Sequence, residues 1–398
     1  MDQRERGLRG GWSLGLAVLL VVVFLAAGVW PWKEGGADFL GRRDPYWISE
    51  DFAAFYSAGT MVTAGVGAKL YDVHAVGRVE HAVAGQPIGG SGVLPYFNPP
   101  FFALVFAPLT QVSLARAYQL WTLTNLALLV LNCWLLWRIA DALPRHWRVV
   151  LIAGYLTLYP VTYGIRLGQF SLLLQASWAA GYLGLRQRRE RLAGAAFSVL
   201  LIKPELLVPL VGVLLWKRRF QVFTTLVPIV AASLAASVAV VGPAAALGYP
   251  DYLLDSAGGG AGVATGLMFN WAGLAAAVFG SASGVVLVAV GVCSLGTLAA
   301  VARAWRGAYR PWTGHFAWQW LALTLATLMV DPHLYLQDTV ILVPAAVAAL
   351  VATRGTARLA AGATLVGGWV ALNAAGIAVA LTLGGGLASA FGFPADLR

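Results

Sequence analysis

WSLGLAVLLVVVFLAAGVW, residues 12–30, runs for 19 residues without a charge. About 20 predominantly apolar residues are what an α-helix needs to cross a bilayer's hydrocarbon core. Similar runs recur as far as Leu383. The 398-residue chain is 59% hydrophobic and 11% charged, with mean hydropathy +0.74. Soluble domains carry about 25% charged residues. The chain therefore reads as an all-α polytopic membrane protein, and the alternation of an outer-membrane barrel is absent. The basic leader MDQRERGLRGG precedes the first run. A cleaved signal peptide has a shorter apolar core, so an uncleaved first span is expected.

The net charge of +10 does not point to nucleic acid. The Lys and Arg residues fall in short clusters between apolar runs, the distribution that the positive-inside rule describes. The clusters are Arg4 to Arg9, Arg138 to Arg148, RQRRER (186–191), KRR (217–219), RAWRGAYR (303–310) and RGTAR (354–358). Placing all of them in the cytoplasm gives about nine full spans, near 12–32, 117–138, 146–164, 168–186, 220–241, 284–305, 314–330, 337–353 and 359–383. The whole chain, 1–398, then forms one membrane domain, with the N-terminus cytoplasmic and the C-terminal tail outside. Residues 33–96 form a long first extracytoplasmic loop. The piece 97–112 carries Pro99, Pro100 and Pro108 and reads as a broken or re-entrant helix. The run 192–216 is interrupted by Lys203-Pro204-Glu205 and reads as a half-crossing hairpin. Such irregular backbone is tolerated at membrane depth only when protein covers it. The stretch 267–283 fits either a loop or a partial helix. Cys133 and Cys293 both lie inside apolar runs, with no disulfide expected. This map gathers Asp51, Arg166, Gln169, Asp251, Asn270, Asp331 and His333 at the extracytoplasmic edge.

Four stretches hold candidate chemistry, and each has a bland alternative. In ISEDFAAFYSAGTMV (48–62), Phe52, Phe55, Tyr56 and Gly59 share one face of a helix at i, i+3, i+4, i+7 spacing. Ser49 suits the N-cap, and the helix suits an interfacial position. Glu50 and Asp51 then either complement the helix dipole, or Asp51 faces a cleft as an ionised base. In DPHLYLQDTVILVPA (331–345), Asp331, His333, Tyr335 and Asp338 form either a solvated turn or a functional cluster at membrane depth. No firm metal-ligand spacing accompanies them. In TYGIRLGQFSLLL (162–174), Arg166 is either a snorkelling anchor or a phosphate ligand. In LLIKPELLVPL (200–210), Lys203 and Glu205 either pair with each other or Lys203 reaches a buried phosphate. Walker, Rossmann, zinc and serine-elbow motifs are all absent. No cofactor is implied, and any activated substrate has to be carried by lipid.

Taken together, these motifs resemble glycosyltransferase family 87. The matching stretches are DFAAFYSAGTMVTAGVGAKLYD (51–72), YFNPPFFALVFAPL (96–109), the Gly-Gln-x-Ser, basic-loop and Ile-Lys-Pro block over 166–210, NWAGL (270–274) and HLYLQDTVILVPA (333–345). Asn98 and Asp331 stand where other residues are commoner. The resemblance implies a GT-C type fold and a polyprenyl-phosphate-sugar-dependent hexosyltransferase. Mannose is the usual sugar, as in members that elongate phosphatidylinositol mannosides. Asp51 matches the family's acidic base after the first span, and His333 matches a functional late-block histidine. Tyr56, Arg166, Gln169, Lys203 and Asn270 fall in the matched motifs as substrate-binding candidates. The implied partners are a polyprenyl-phosphate sugar donor, a lipid or glycan acceptor and the surrounding membrane lipids. The rival class is a transporter or flippase for a lipid-linked sugar, since broken helices and midplane charges serve transport as well.

Overall fold

A computed structural model describes residues 3–39, 51–85, 93–257, 265–280 and 283–383. Ser49, Glu50 and the C-terminal tail beyond Leu383 lie outside the described residues. Seventeen α-helices occur: α1 (Gln3–Phe39), α2 (Asp51–Thr63), α3 (Val73–Ala84), α4 (Pro100–Phe106), α5 (Leu114–Ile139), α6 (Arg145–Leu156), α7 (Tyr159–Arg166), α8 (Ser171–Arg186), α9 (Glu190–Phe197), α10 (Leu207–Trp216), α11 (Phe220–Val241), α12 (Pro243–Ala257), α13 (Trp271–Phe279), α14 (Ser283–Ala304), α15 (Gly314–Val330), α16 (Leu342–Ala352) and α17 (Thr356–Leu383). Short 3-10 turns complete the described structure, and no strand occurs among these residues.

The expected all-α architecture is present, but the count of about nine full spans is not reproduced. Among the described residues, α5, α11, α14 and α17 are long and apolar enough to cross a membrane. The pair α6 and α7, bent by 45°, makes a fifth if counted as one span. The segments expected to span at 168–186, 314–330 and 337–353 form helices of only 16, 17 and 11 residues. They are enclosed by protein. Trp178 of α8 and Trp320 of α15 are fully buried, with ring centroids 4.9 Å apart, and the Trp178 indole donates to Thr324. Phe197 of α9 completes this aromatic column. It crowds α8 so closely that a Cβ at Gly181 would lie 2.0 Å from its ring. A continuous apolar run cannot distinguish a buried core helix from a lipid-facing one.

The helix α2 is enclosed by protein, with nine of its 13 residues buried. Phe55 stacks on Phe106 at 5.2 Å, and Phe52 meets Tyr118 edge-on at 5.6 Å. The other faces carry Ala53, Ala54, Ser57 and Ala58, which are small enough for neighbouring backbone to approach. The 97–112 piece forms α4 and a 3-10 turn over Ala107–Gln111. The 267–283 stretch contains α13, nine residues long and capped by Asn270.

The molecule has two chemically different ends. Arg188 lies over the Trp312 ring at 3.9 Å, and Arg219 lies over Tyr309 at 4.8 Å. Lys217 donates to the Gly307 carbonyl at 3.0 Å. Arg219 pairs with Glu190 at 2.6 Å. The starts of α9, α11 and α15 and the ends of α8, α10 and α14 therefore meet at one basic end. The opposite ends of α8 and α15 lie about 24–26 Å away, at 1.5 Å per residue.

The Glu190–Arg219 pair shows that the segment between these residues goes in and returns to the same end. Its arms splay: α9 packs on α8 and α11, while α10 packs on α15. Lys203 sits at the tip, at φ −134° and ψ 76°, between two 3-10 turns. The inward arm is part 3-10 helix, with about 2.0 Å rise per residue, so 13 residues span about 22 Å. This carries Lys203 beyond the midpoint of the molecule, farther than an all-α arm would.

The two-ended arrangement predicts opposite chemical access. In a background lacking Cys133 and Cys293, Gln187→Cys and Val66→Cys should react with an impermeant thiol reagent from opposite faces of a sealed membrane. Labelling of both from one face would contradict the arrangement.

Candidate active site

At the end away from the basic loops lies a cavity of about 290 Å³, lined by Asp51, Gln169, Lys203, Glu205, His333 and Asp338 among others. Sequence separation among these residues exceeds 280 positions, so the fold assembles the site.

Gln169 reaches it through a helix cap. Gln169 N–H donates to the Gly164 carbonyl at 2.9 Å, and Gly168 N–H donates to Ile165 at 3.1 Å. This is the paired bonding of a Schellman motif closing α7. Gly168 has φ +69°, and a Cβ there would sit 2.6 Å from Phe52 Cβ. Glycine is thus required both by the left-handed backbone and by the approach of α2. The freed carbonyls are held by α5: Trp121 donates to Gly168 O and Tyr118 to Arg166 O. The cap aims the Gln169 amide at Asp51, and its Nε2 donates to Asp51 Oδ2 at 2.6 Å.

Asp51 opens α2 and is half-buried. Burial raises its carboxyl pKa, the Gln169 hydrogen bond lowers it, and the nearby Asp338 charge raises it again. The balance leaves it at about 6. It is thus an ionised but basic carboxylate near neutral pH.

Lys203 is engaged with protein. Its Nζ donates to Asp338 Oδ2 at 2.8 Å and to the His333 carbonyl at 2.9 Å, and it pairs with Asp331 Oδ2 at 3.0 Å. An ammonium has three N–H donors, and three protein oxygens surround this one. Asp338 also accepts from Ser171 at the start of α8. Asp331 accepts from His333 N–H at 2.8 Å. The tip of the α9–α10 hairpin is thereby clamped to the 331–338 loop between α15 and α16. The Lys203–Glu205 pairing considered from sequence is replaced by these longer-range partners.

His333 is buried, lines the cavity and stacks on Phe97 at 5.5 Å. Phe97 belongs to the 93–98 wall. That wall is held by Glu80, which accepts from Leu94 N–H, by Tyr249, which donates to Phe97 O, and by Asn98, which donates to Ile202 O.

The other sequence candidates lie elsewhere. Tyr56 does not line the cavity, and its hydroxyl donates to Val112 O at 2.8 Å, which ties α2 to the 107–112 turn. Asn270 is buried and serves the scaffold. Its Oδ1 accepts from Gly273 N–H, and its Nδ2 donates to Asp331 O at 2.6 Å. It caps α13 and holds the loop that carries Asp331. Arg166 lies in the last turn of α7, one turn before Gln169 and outside the cavity lining. Asp251 is exposed on α12. Sequence reasoning gave Glu205 no role of its own, although it lines the cavity; its position right after Lys203-Pro204 was the available signal. Among the described residues, no group of three His, Cys, Asp or Glu side chains is arranged to hold a metal ion.

Residues 96–332 match the family model described as glycosyltransferase family 87. A similar protein is the polyprenol-phosphate-mannose-dependent alpha-(1-2)-phosphatidylinositol pentamannoside mannosyltransferase of Mycobacterium tuberculosis (strain CDC 1551 / Oshkosh). It is 30% identical over 291 residues, which is 71% of this chain and 64% of that relative, so the chain spans just under two thirds of the relative's length. No solved structure matches the chain. The family match covers more than half of the chain and takes in Gln169, Lys203, Glu205, Asn270 and Asp331. With the helical membrane architecture and the Gly-Gln and Ile-Lys-Pro blocks meeting at one cavity, this match places the protein: the chain belongs to glycosyltransferase family 87.

Proposed function

We propose that this glycosyltransferase moves a hexose, with mannose favoured, from a polyprenyl-phosphate donor to a hydroxyl of a lipid or glycan acceptor. Transfer inverts the anomeric centre and takes place at the extracytoplasmic edge of a cell membrane. The observation that carries the reading is Asp51, an oriented carboxylate at a sugar-sized cavity opposite the basic end. The cavity lies near the lower limit of the roughly 300–1,000 Å³ typical of ligand sites. It suits a sugar ring, while a polyprenyl chain belongs against the lipid-facing helices. The name of the mycobacterial relative supports a lipid-linked mannose donor and a glycolipid acceptor. The basic clusters at the opposite end support its assignment to the cytoplasm.

Gln169 occupies Asp51 Oδ2 and leaves Oδ1 for the acceptor. The acceptor O–H bond breaks as its proton passes to Asp51. The acceptor oxygen forms the new bond to the anomeric carbon, and the bond from that carbon to the phosphate oxygen breaks. Its electron pair leaves with the polyprenyl phosphate. Phosphate is a good leaving group and needs charge stabilisation rather than a strong acid. His333, which lines the cavity, is assigned that role, with Arg166 as a cation at the rim. Lys203 acts through the Asp331 and Asp338 clamp, because a phosphate would have to displace both carboxylates to reach it.

Three outcomes test this reading with labelled polyprenyl-phosphate-mannose and a lipid acceptor. Asp51→Asn should lower kcat by about 10²–10⁴-fold, the usual contribution of general base catalysis, with little change in melting temperature. Full turnover by that variant would remove Asp51 from the chemistry. The wild-type rate should also fall as pH drops through about 6, because protonated Asp51 cannot accept a proton. Gln169→Leu removes the bond that lowers the Asp51 pKa, so the acidic limb should move to higher pH. An unmoved limb would show that another group titrates.

A further inference from the structure

Glu205 is the cavity acid that no step above uses. It sits on the one-turn 3-10 segment Pro204–Leu206, directly after the clamped Lys203. Pro204 fixes its own φ, and Lys203 is held from three sides, so the Glu205 backbone has little freedom. The side chain lines the cavity, yet its Oε2 is buried and accepts no hydrogen bond from any described residue. Four donors in the cavity are committed to other partners. The Lys203 ammonium faces Asp331, Asp338 and the His333 carbonyl. The Tyr249 hydroxyl is bonded to Phe97 O, the Asn98 amide to Ile202 O, and the Gln169 amide to Asp51.

A buried carboxyl oxygen without a partner is unfavourable. A ligand that supplies a donor removes that penalty, and the chemistry of the site limits which donor fits. An oxyanion placed against Glu205 offers it no donor. An apolar ligand would leave the carboxylate unsatisfied. A neutral hydroxyl on a sugar ring meets the requirement, and Phe97 and Tyr249 supply apolar faces in the same cavity for the ring's C–H surface.

We infer that Glu205 recognises a sugar hydroxyl in the cavity, accepting its hydrogen bond and so determining which hexose, or which position on it, the site tolerates. This rests on the transferase reading above. The same chemistry fits a hydroxyl of the donor sugar or of the acceptor sugar. A site built to bond a hydroxyl rejects the analogue that lacks it.

The test is a cycle between enzyme and substrate, with the full chain in lipid bilayer discs. One arm uses short-chain polyprenyl-phosphate-mannose and its monodeoxy analogues; the other uses an alkyl mannoside acceptor and its monodeoxy analogues. With wild type, one analogue in one arm should lose about 10- to 100-fold in kcat/KM, the scale of a hydrogen bond to a charged group. Glu205→Ala should lose a similar factor with the parent compound and show no further loss with that analogue. The arm in which this happens identifies the donor or the acceptor. Glu205→Gln keeps the shape and one acceptor oxygen, so it should recover part of the loss, and it replaces the alanine variant if that one is not monodisperse. Undiminished sensitivity of the variant to every analogue in both arms would overturn the inference alone. Absence of wild-type turnover with every polyprenyl-phosphate sugar would overturn the transferase reading, and this inference with it.

Discussion

The site depends on one buried ammonium. Lys203 meets Asp338, Asp331 and the His333 carbonyl within 3.0 Å. Through them, the tip of the α9–α10 hairpin is tied to the loop between α15 and α16, and through Ser171 to the start of α8. A cluster of this kind adds little net stability compared with apolar packing of the same volume, but removing one partner costs about 3–5 kcal/mol, because a charge is left uncompensated. Its consequence here is geometric. It holds Glu205 on one wall, His333 on another and Asp338 close enough to raise the pKa of Asp51. A lysine so enclosed is poorly placed to bind a further anion.

The same cluster explains why the hairpin ends where it does. Glu190 and Arg219 close it at the basic end, and the 3-10 turns around Lys203 lengthen its inward arm enough to meet the far loop. The aromatic column of Trp178, Phe197 and Trp320 fills the space between. The cavity and the basic loops are thereby kept about 24 Å apart.

Much of the site was legible in the sequence, and its omissions have physical causes. Asp51 stood out because an acid beside an aromatic stripe is unusual in so apolar a chain. Gln169 was legible only through the outer-edge map and the Gly-Gln-x-Ser block, while the helix cap that aims it was not read. The Asp331 to Asp338 cluster was visible as charge at a span junction. Its partner Lys203 was not assigned, because the two lie 128 to 135 positions apart and an α-helical arm of that length stops short. Tyr56 and Asn270 sit in motifs that resemble the family's, yet their polar atoms hold α2 and α13 in place. A motif match cannot separate a residue that touches substrate from one that supports the site. The span count is not reproduced for a related reason: α8, α15 and α16 are as apolar as spans, but their neighbours are other helices.

Coupling between Lys203 and its carboxylates is what the whole arrangement stands on. A thermal-unfolding double-mutant cycle with Lys203→Met, Asp338→Asn and the combined variant, each in the full chain, measures that coupling. Lys203→Met should be strongly destabilised, the double variant should be more stable than Lys203→Met alone, and the coupling should exceed about 1.5 kcal/mol. A Lys203→Met protein as stable as wild type, or losses that simply add, would show that the ammonium does not hold the site together.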